Sequence, residues 1–264
     1  MARYQIILAY DGTQFLGFQR QSEARTVQLV LETALRCLNW QGRTVYCAGR
    51  TDTGVHASGQ VVVFDFEWAH PIEKLLRAIN ANLPQDVAVK EIRVTSDDFH
   101  PRFDAISRTY RYNLHVSRDR DPLLDRFAWR VWPVVNLEAL KEAAGYLIGT
   151  HDFAAFGTPP KPDGHTIRTV HRTEWTEEKQ GFSFEVTANA FLYHMVRRMV
   201  YLQVLVAQNR IELADFVESI EKKKQITAGL APPNGLVLAS VEYPPGGQEL
   251  ENVDQRQINE NLAD

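Results

Sequence analysis

One aspartate in this chain has neighbours that suit a catalytic carboxylate. Asp52 follows Arg50 by two residues in the segment AGRTDTGVHA at 48–57, where glycines lie on both sides of it. Apolar runs at 45–47 and 61–64 enclose the segment, so it is predicted to be a loop between two strands. Glycines this close to one acid indicate a sharp bend or the close approach of a ligand.

The chemistry open to Asp52 depends on its charge. An aspartate beside a guanidinium stays ionised, because the opposite charge stabilises the carboxylate. An ionised carboxylate serves as a nucleophile or stabilises positive charge, and it is a poor proton donor. The competing interpretation is a loop aspartate that bonds its own backbone in a turn. Local spacing alone favours this structural interpretation and leaves the catalytic one open.

A second pattern alternates aromatic and basic residues in RTYRY at 108–112. In a strand, Tyr110 and Tyr112 share one face while Arg111 points the other way. Tyr112 is predicted to be a core tyrosine. Tyr110 has two interpretations, a half-buried core residue or a ring that stacks on an RNA base.

A third pattern, FLYHMVRR at 191–198, puts two arginines into an otherwise apolar helix. A buried arginine needs a paired acid. Arg197 is therefore a candidate to enter the core and meet Asp52, which leaves Arg198 for solvent or phosphate. His194 lies three residues before Arg197, on roughly the same helical face, and is predicted to be a satisfied core histidine.

The residues that bind common cofactors and metals are not present in their usual spacings. The eight histidines and two cysteines form no His-x-Glu, His-Glu-x-x-His or Cys-x-x-Cys pattern, so a zinc site is unsupported. The chain also lacks a phosphate-binding Gly-x-x-x-x-Gly-Lys loop, a dinucleotide fingerprint and a Gly-x-Ser-x-Gly elbow. The sequence therefore predicts chemistry by one acid, arginines and tyrosines, without a metal or cofactor.

Charge and composition limit the partners and the compartment. The 264 residues include 29 basic and 33 acidic ones, and this net negative charge argues mildly against nucleic acid. Arginines nevertheless cluster within 102–130 and 168–198, while acids collect at 249–264, so a basic groove remains possible. Two cysteines without metal spacing are typical of a reducing cytosol. No apolar run reaches the roughly 20 residues that cross a bilayer, so we expect a cytoplasmic protein.

Hydrophobic periodicity predicts the elements that hold these residues. The N-terminal half is predicted to contain strands at 4–10, 44–47, 59–66 and 87–94 and helices at 26–40 and 71–80. The C-terminal half is predicted to contain strands at 107–116, 128–132, 170–174, 181–187 and 236–241, helices at 137–148 and 191–208, and a loop at 157–165. The β-α-β-β-α-β order of the first half predicts a ferredoxin-like sheet with helices on one face.

The C-terminal half follows the same order more loosely, so an α+β protein of two ferredoxin-like subdomains is predicted. Their antiparallel sheets are expected to share an edge and join into one extended mixed sheet flanked by helices. The subdomain boundaries are placed at 1–103 and 104–244, and the acidic segment 245–264 is predicted to be a disordered tail. The cleft between the subdomains is where a ligand site is expected.

The motifs as a set resemble one known family. GRTDTGVH at 49–56 closely resembles the catalytic motif of the TruA-type tRNA pseudouridine synthases. The further matching segments are YDG, GFQRQ, NANLP, DFHPRF, RTYRY, GTHDF, NAFLYHMVR and NGL, in the family's order from about residue 4 to 244. The resemblance reverses the preference for a structural Asp52. One departure is Phe18, where the family often has tryptophan, and we expect it to change packing but not activity.

The resemblance implies a pseudouridine synthase fold and an isomerase that converts uridine to pseudouridine at positions 38, 39 and 40 of the tRNA anticodon stem-loop. It implies a homodimer that needs no metal and no cofactor. It also implies three catalytic residues: Asp52 as the nucleophile, Tyr110 as the aromatic against the target uracil, and Arg197 as the cation paired with Asp52. The substrate-binding residues that it implies are Arg50, Tyr110, Leu236 and His56.

Two alternatives remain open from sequence. One is a pseudouridine synthase of the same fold that acts on other RNA sites, because site choice depends on the shape of the whole surface. The other is a non-catalytic RNA-binding protein with ferredoxin-like sheets. This second alternative accounts for the arginines but gives no reason for a buried Asp–Arg pair.

Overall fold

The computed structural model describes residues 1–161, 164–223 and 225–245. The N-terminal half contains β1 (Ala2–Tyr10), α1 (Val27–Cys37), β2 (Tyr46–Cys47), β3 (His56–Phe66), α2 (Ile72–Asn82) and β4 (Val87–Thr95). This is the predicted element order, with a longer β3 and a β2 of only two residues.

Helix α1 shows how the sequence sets these bounds. The Thr26 hydroxyl accepts a hydrogen bond from the Leu29 N–H at 3.4 Å, which caps the helix at its predicted start. The helix stops at Cys37, three residues before the predicted end. Asn39 has a left-handed backbone, with φ 68°, and a helix does not continue through such a residue.

The C-terminal half is more elaborate than predicted. It contains β5 (Ser107–Val116), β6 (Trp129–Val131), α3 (Leu137–Gly145), β7 (Gly149–Asp152), β8 (Ile167–Glu178), β9 (Gly181–Ala188), α4 (Met195–Ala207), α5 (Leu213–Glu221) and β10 (Leu236–Glu242). Strand β7 and helix α5 were not predicted. Helix α4 begins at 195 and not at 191, because His194 has φ 66° and ends the preceding turn.

One mixed sheet runs through both halves in the order β4-β1-β3-β10-β5-β9-β8-β7, with β2 beside β3 and β6 beside β5. Within each half, the four ferredoxin-like strands follow the same spatial pattern, β4-β1-β3-β2 and β10-β5-β9-β8. The halves join where β10 lies parallel to β3, at Val237 with His56 and Leu238 with Ala57. The predicted single mixed sheet is thus confirmed, whereas the boundaries at 103 and 244 stay predictions.

Two large apolar cores flank this junction. Leu236 belongs to the core of the C-terminal half and Leu238 to that of the N-terminal half, while Tyr110 packs against both. Within the described ranges, no helix is long and apolar enough to cross a membrane. The predicted loop at 157–165 lies partly outside the described residues, and the predicted tail at 245–264 lies outside them except for Pro245.

Candidate active site

Asp52 lies in the loop between β2 and β3, and backbone hydrogen bonds fix that loop from both sides. The Thr51 carbonyl accepts from the Phe18 N–H at 3.0 Å, and the Gly54 N–H donates to Phe15 at 3.3 Å. The buried Thr51 hydroxyl pairs with that of Tyr10 at 2.7 Å. The chain turns back through Gly54, whose φ of 76° suits glycine. The carboxylate is therefore held by a rigid loop.

Gly12 supports this loop by close approach, which predicts a sharp mutational effect. A Cβ on Gly12 would lie 2.0 Å from the Val55 carbonyl oxygen, so Gly12→Ala must displace the loop next to Asp52. We expect a loss of about 1–3 kcal/mol in the free energy of unfolding. Turnover should fall at least about tenfold, since small displacements of reacting groups are costly. Denaturant titration and a rate assay measure the two effects.

Gly145 provides the matched control. It ends helix α3, and no atom lies within 4 Å of a Cβ built there. Gly145→Ala should leave turnover unchanged and keep or slightly raise stability. Equal behaviour of the two variants would contradict the role given to Gly12.

An arginine and a histidine face the Asp52 carboxylate. Its Oδ2 lies 3.5 Å from Nη1 of Arg197 and 3.5 Å from Nε2 of His194. The Arg197 side chain is only 13% exposed and that of Asp52 23%. Partial burial strengthens an ion pair, because less water screens the charges. The first turn of α4, which carries Arg197, adds the positive end of its helix dipole.

Arg197 is itself fixed in position. Its Nε donates a hydrogen bond of 2.7 Å to the Ala231 carbonyl, so the guanidinium bridges Asp52 and the chain just before β10. The neighbouring Arg198 takes another course and donates to the Thr227 carbonyl at 2.7 Å. Arg197 turns toward the acid as the sequence predicts, whereas Arg198 is half-buried and bonded to the backbone, so its predicted place in solvent or on a phosphate is wrong.

His194 is not the core histidine that the sequence predicts. Its side chain is 30% exposed and faces Asp52, and its ring lies against that of Tyr193 with centroids 3.7 Å apart. Burial lowers the pKa of His194 and the two nearby arginines lower it further, while the Asp52 charge opposes them. The His194 ring is therefore largely neutral near pH 7, and the positive charge that faces Asp52 at this pH is that of Arg197.

Tyr110 forms the aromatic wall of the site. Its ring meets that of Phe191 edge to face, with centroids 5.0 Å apart. Burial raises the pKa of the Tyr110 hydroxyl, and the Asp52 charge raises it further, so the phenol stays neutral. Tyr112, two residues on, is fully buried and donates to the Pro232 carbonyl at 2.7 Å, which confirms it as a core residue.

A cavity of about 70 Å³ lies where these side chains meet. Its lining includes Arg50, Asp52, Tyr110, His194, Arg197 and Leu236. Ligand pockets are usually larger than about 300 Å³, so a nucleotide enters only if the walls move. A larger cavity of about 320 Å³ lies beside β7 and α5. Its Asp152 already pairs with Thr166 and Lys223, so the smaller cavity is the better candidate.

Arg108 ties the walls of the cavity together, a role that sequence reasoning missed. Its guanidinium donates to the carbonyls of Asn189 at 2.8 Å, Ala105 at 3.2 Å, Arg102 at 2.5 Å and Ala48 at 3.5 Å. These carbonyls belong to the turn before β5, the start of the Asp52 loop and the segment that leads to α4. One half-buried cation thus connects three segments around Asp52.

The structure brings together five of the six predicted site residues and sets one apart. Arg50, Asp52, Tyr110, Arg197 and Leu236 line the same cavity, whereas His56 does not. His56 is 4% exposed, and its Nδ1 accepts the Gly12 N–H at 3.0 Å. Burial lowers the pKa of His56, so its ring is neutral. Through its hydrogen bond with Gly12, the ring helps to hold the Asp52 loop and does not face a substrate.

The chain is similar to known proteins over nearly its whole length. The sequence pattern of the tRNA pseudouridine synthase family matches residues 6–104 and 143–244. A tRNA pseudouridine synthase A of Chloroflexus aurantiacus is 40% identical over 252 residues, covering 93% of this chain and 90% of that protein. The proteins of the same name from Alcanivorax borkumensis and Neisseria gonorrhoeae are 40% and 38% identical, each covering 92% of both chains.

Proposed function

The chain belongs to the tRNA pseudouridine synthase family, and we propose that it isomerises uridine to pseudouridine in the tRNA anticodon stem-loop, at positions 38, 39 and 40, with Asp52 as the catalytic nucleophile. The convergence of Asp52, Arg197 and Tyr110 on one cavity at the junction of the two halves supports this assignment. The family relationship leaves no place for the alternative of a non-catalytic RNA-binding protein.

The reaction begins with access to the base. A nucleotide in a stem must leave the stack, which costs a few kcal/mol, and an enzyme offsets this by stacking the flipped base. Tyr110, already backed by Phe191, offers its ring to the uracil in our proposal. Leu236, on the neighbouring strand β10, adds an apolar wall, and Arg50, exposed at the cavity rim, contacts the phosphate backbone.

The chemistry then exchanges one bond of the ribose for another. The bond between C1′ and N1 breaks, the uracil turns within the cavity, and a bond forms between C1′ and C5. The proton on C5 is lost and N1 gains a proton, so substrate and product have the same composition. The Asp52 carboxylate either attacks the sugar or stabilises its positive charge, and Arg197, 3.5 Å away, holds that carboxylate in place.

Tyr110→Leu is expected to reduce turnover more than binding. Losing the ring removes stacking worth about 1–3 kcal/mol per base, and losing the hydroxyl removes a polar group near the reacting atoms. We expect kcat to fall about 100-fold or more, while the Kd for tRNA changes less than about tenfold. Tyr110→Phe keeps the ring and so separates stacking from proton handling. Unchanged turnover in Tyr110→Leu would exclude both roles.

The direct test uses the purified protein and tRNA transcripts that carry tritium at C5 of uridine. Release of tritium measures loss of the C5 proton. We expect release from a transcript with uridine at positions 38 to 40 and none from a matched transcript with cytidine there. Release from both transcripts would assign the enzyme to other RNA sites. Mapping pseudouridine in tRNA from cells that lack the protein gives the same distinction in vivo.

Our proposal includes a homodimer in the cytoplasm, on the basis of family membership. In such a dimer, each bound tRNA would contact both protein copies. Sedimentation of the purified protein, alone and with tRNA, measures this directly. A monomer at concentrations that support full turnover would contradict the dimer and leave the assignment of Asp52 intact.

A further inference from the structure

A row of aromatic rings is exposed on the surface beside the Asp52 loop. Phe103 is 77% exposed, and its ring centroid lies 4.3 Å from that of His100, at an interplanar angle of 34°. The ring of Tyr46, itself 47% exposed, follows at 5.6 Å from His100. Single exposed apolar side chains are common, but a contiguous group marks an interaction surface.

The turn that carries His100 and Phe103 is rigid. The Asp104 carboxylate accepts the His100 N–H at 2.7 Å, and the Asp104 N–H donates back to the His100 carbonyl at 3.1 Å. The Arg102 N–H donates to Nδ1 of His100 at 3.1 Å. From below, the Tyr243 hydroxyl donates to the Pro101 carbonyl at 2.8 Å. Groups held in place before binding lose little entropy when a ligand arrives.

Two exposed guanidinium groups accompany the rings. Arg50 and Arg102 both lie near the Cys47 thiol. Burial raises the pKa of this thiol, and the positive charges of the two arginines oppose that rise. Neither arginine forms an ion pair within the part of the chain that the structure describes. Free arginines beside aromatic rings are the combination that binds single-stranded nucleic acid, since the cations contact phosphates and the rings stack on bases.

The hydrogen bonds of Arg108 connect the turn that carries two of these rings to the Asp52 loop. The Arg108 guanidinium donates to the Arg102 carbonyl in the aromatic turn and to the Ala48 carbonyl at the start of the Asp52 loop. Arg50 itself lines the Asp52 cavity. The Arg108 guanidinium thus joins the aromatic turn to the loop that carries the catalytic residue.

We propose that Tyr46, His100 and Phe103 form a stacking platform for an unpaired base of the anticodon loop near the target uridine, with Arg50 and Arg102 on its phosphates. This inference rests on the proposed function. It names a contact to a second base, separate from the uracil that meets Tyr110. A protein partner fits less well, because the centres of protein interfaces are depleted of charged residues.

The first experiment measures the Kd of an anticodon stem-loop RNA for four proteins. Phe103→Ala should bind about tenfold more weakly than the wild type. Phe103→Trp keeps a stacking ring and should bind within about twofold of the wild type. The control Tyr146→Ala removes a ring that is 45% exposed at the β7 edge of the sheet, and it should bind like the wild type. Equal binding by Phe103→Ala overturns the platform.

The second experiment identifies the base that stacks. Unpaired nucleotides of the loop are made abasic one at a time, and each RNA is bound to the wild type and to Phe103→Ala. At one position the missing base should remove the difference between the two proteins. A difference that persists with every abasic RNA would show that Phe103 contacts no base, and the proposal fails.

Failure of the platform can be told apart from failure of the proposed function. A wild-type protein that binds and modifies tRNA, together with a Phe103→Ala variant of equal affinity, overturns the platform alone. A wild-type protein that neither binds nor modifies tRNA overturns both. Sedimentation also shows whether Phe103→Ala changes the oligomeric state. If that change accounts for the lost affinity, Phe103 belongs to a contact between copies and the platform is wrong.

Discussion

Asp52→Asn is expected to abolish turnover while leaving the protein folded and able to bind tRNA. Asparagine has the shape of aspartate but carries no charge, so it neither attacks the ribose nor stabilises a cation. Removing a nucleophile from a pre-organised site costs about 10⁴-fold or more in kcat. Binding should stay within about threefold, since most of the affinity for RNA comes from phosphate contacts elsewhere.

The measurement is tritium release from uridine-labelled tRNA, paired with a binding titration. Asp65→Asn is a matched control, because Asp65 also pairs with an arginine, Arg3, at 2.7 Å, but lies outside the Asp52 cavity. It should leave turnover unchanged. Substantial turnover by Asp52→Asn would remove Asp52 from the chemistry, whatever else the structure brings near it.

The sequence could predict elements whose signals are local. Strand β5 has the predicted bounds, Ser107–Val116, because alternation of apolar and polar residues determines both its length and its faces. The start of α1 follows from a capping threonine in the same way. Strand β7, by contrast, is four residues long and polar, and helix α5 is a short amphipathic piece of nine residues. Such short elements depend on their neighbours for stability, so local patterns do not reveal them.

The turn before α4 shows a different limit. Apolar periodicity from 191 onward predicts a helix there, but Tyr193 instead pairs with Thr158 across a β-bridge. That contact joins residues 35 positions apart in sequence, which no local pattern contains. The resulting left-handed His194 turns its ring toward Asp52. The spacing of three residues between His194 and Arg197 is the available signal, but the same spacing also fits a core histidine.

His56 shows why a motif does not place each of its residues in the site. It lies four positions after Asp52 in the same segment, so the resemblance extends to both. Between them the chain turns at Gly54 and enters β3, where His56 pairs with Val237 of β10. Its ring therefore packs against that of Phe127, with centroids 5.1 Å apart, and does not line the Asp52 cavity. Distance along the chain does not show which side of a turn faces the ligand.

Arg197 provides the second large expected effect. Arg197→Met keeps the length and apolar stem of the side chain but removes the charge that faces Asp52. We expect kcat to fall about 10²- to 10³-fold, the usual cost of removing one pre-organised electrostatic partner. Arg197→Lys keeps a positive charge, yet it cannot both reach the carboxylate and hold the Ala231 carbonyl, so it should recover only part of the loss. Arg198→Met, next along the helix, should leave kcat nearly unchanged.

The double variant decides whether Arg197 acts through Asp52. Two residues that work as one unit have effects that do not add. If the guanidinium serves only to keep the carboxylate charged and oriented, the double variant of Asp52→Asn and Arg197→Met is no slower than Asp52→Asn alone. If the two losses multiply, Arg197 makes its own contact with the RNA. The 3.5 Å separation of their charged atoms and the low exposure of the guanidinium argue for the first result, because a side chain enclosed in this way has little surface left for a phosphate.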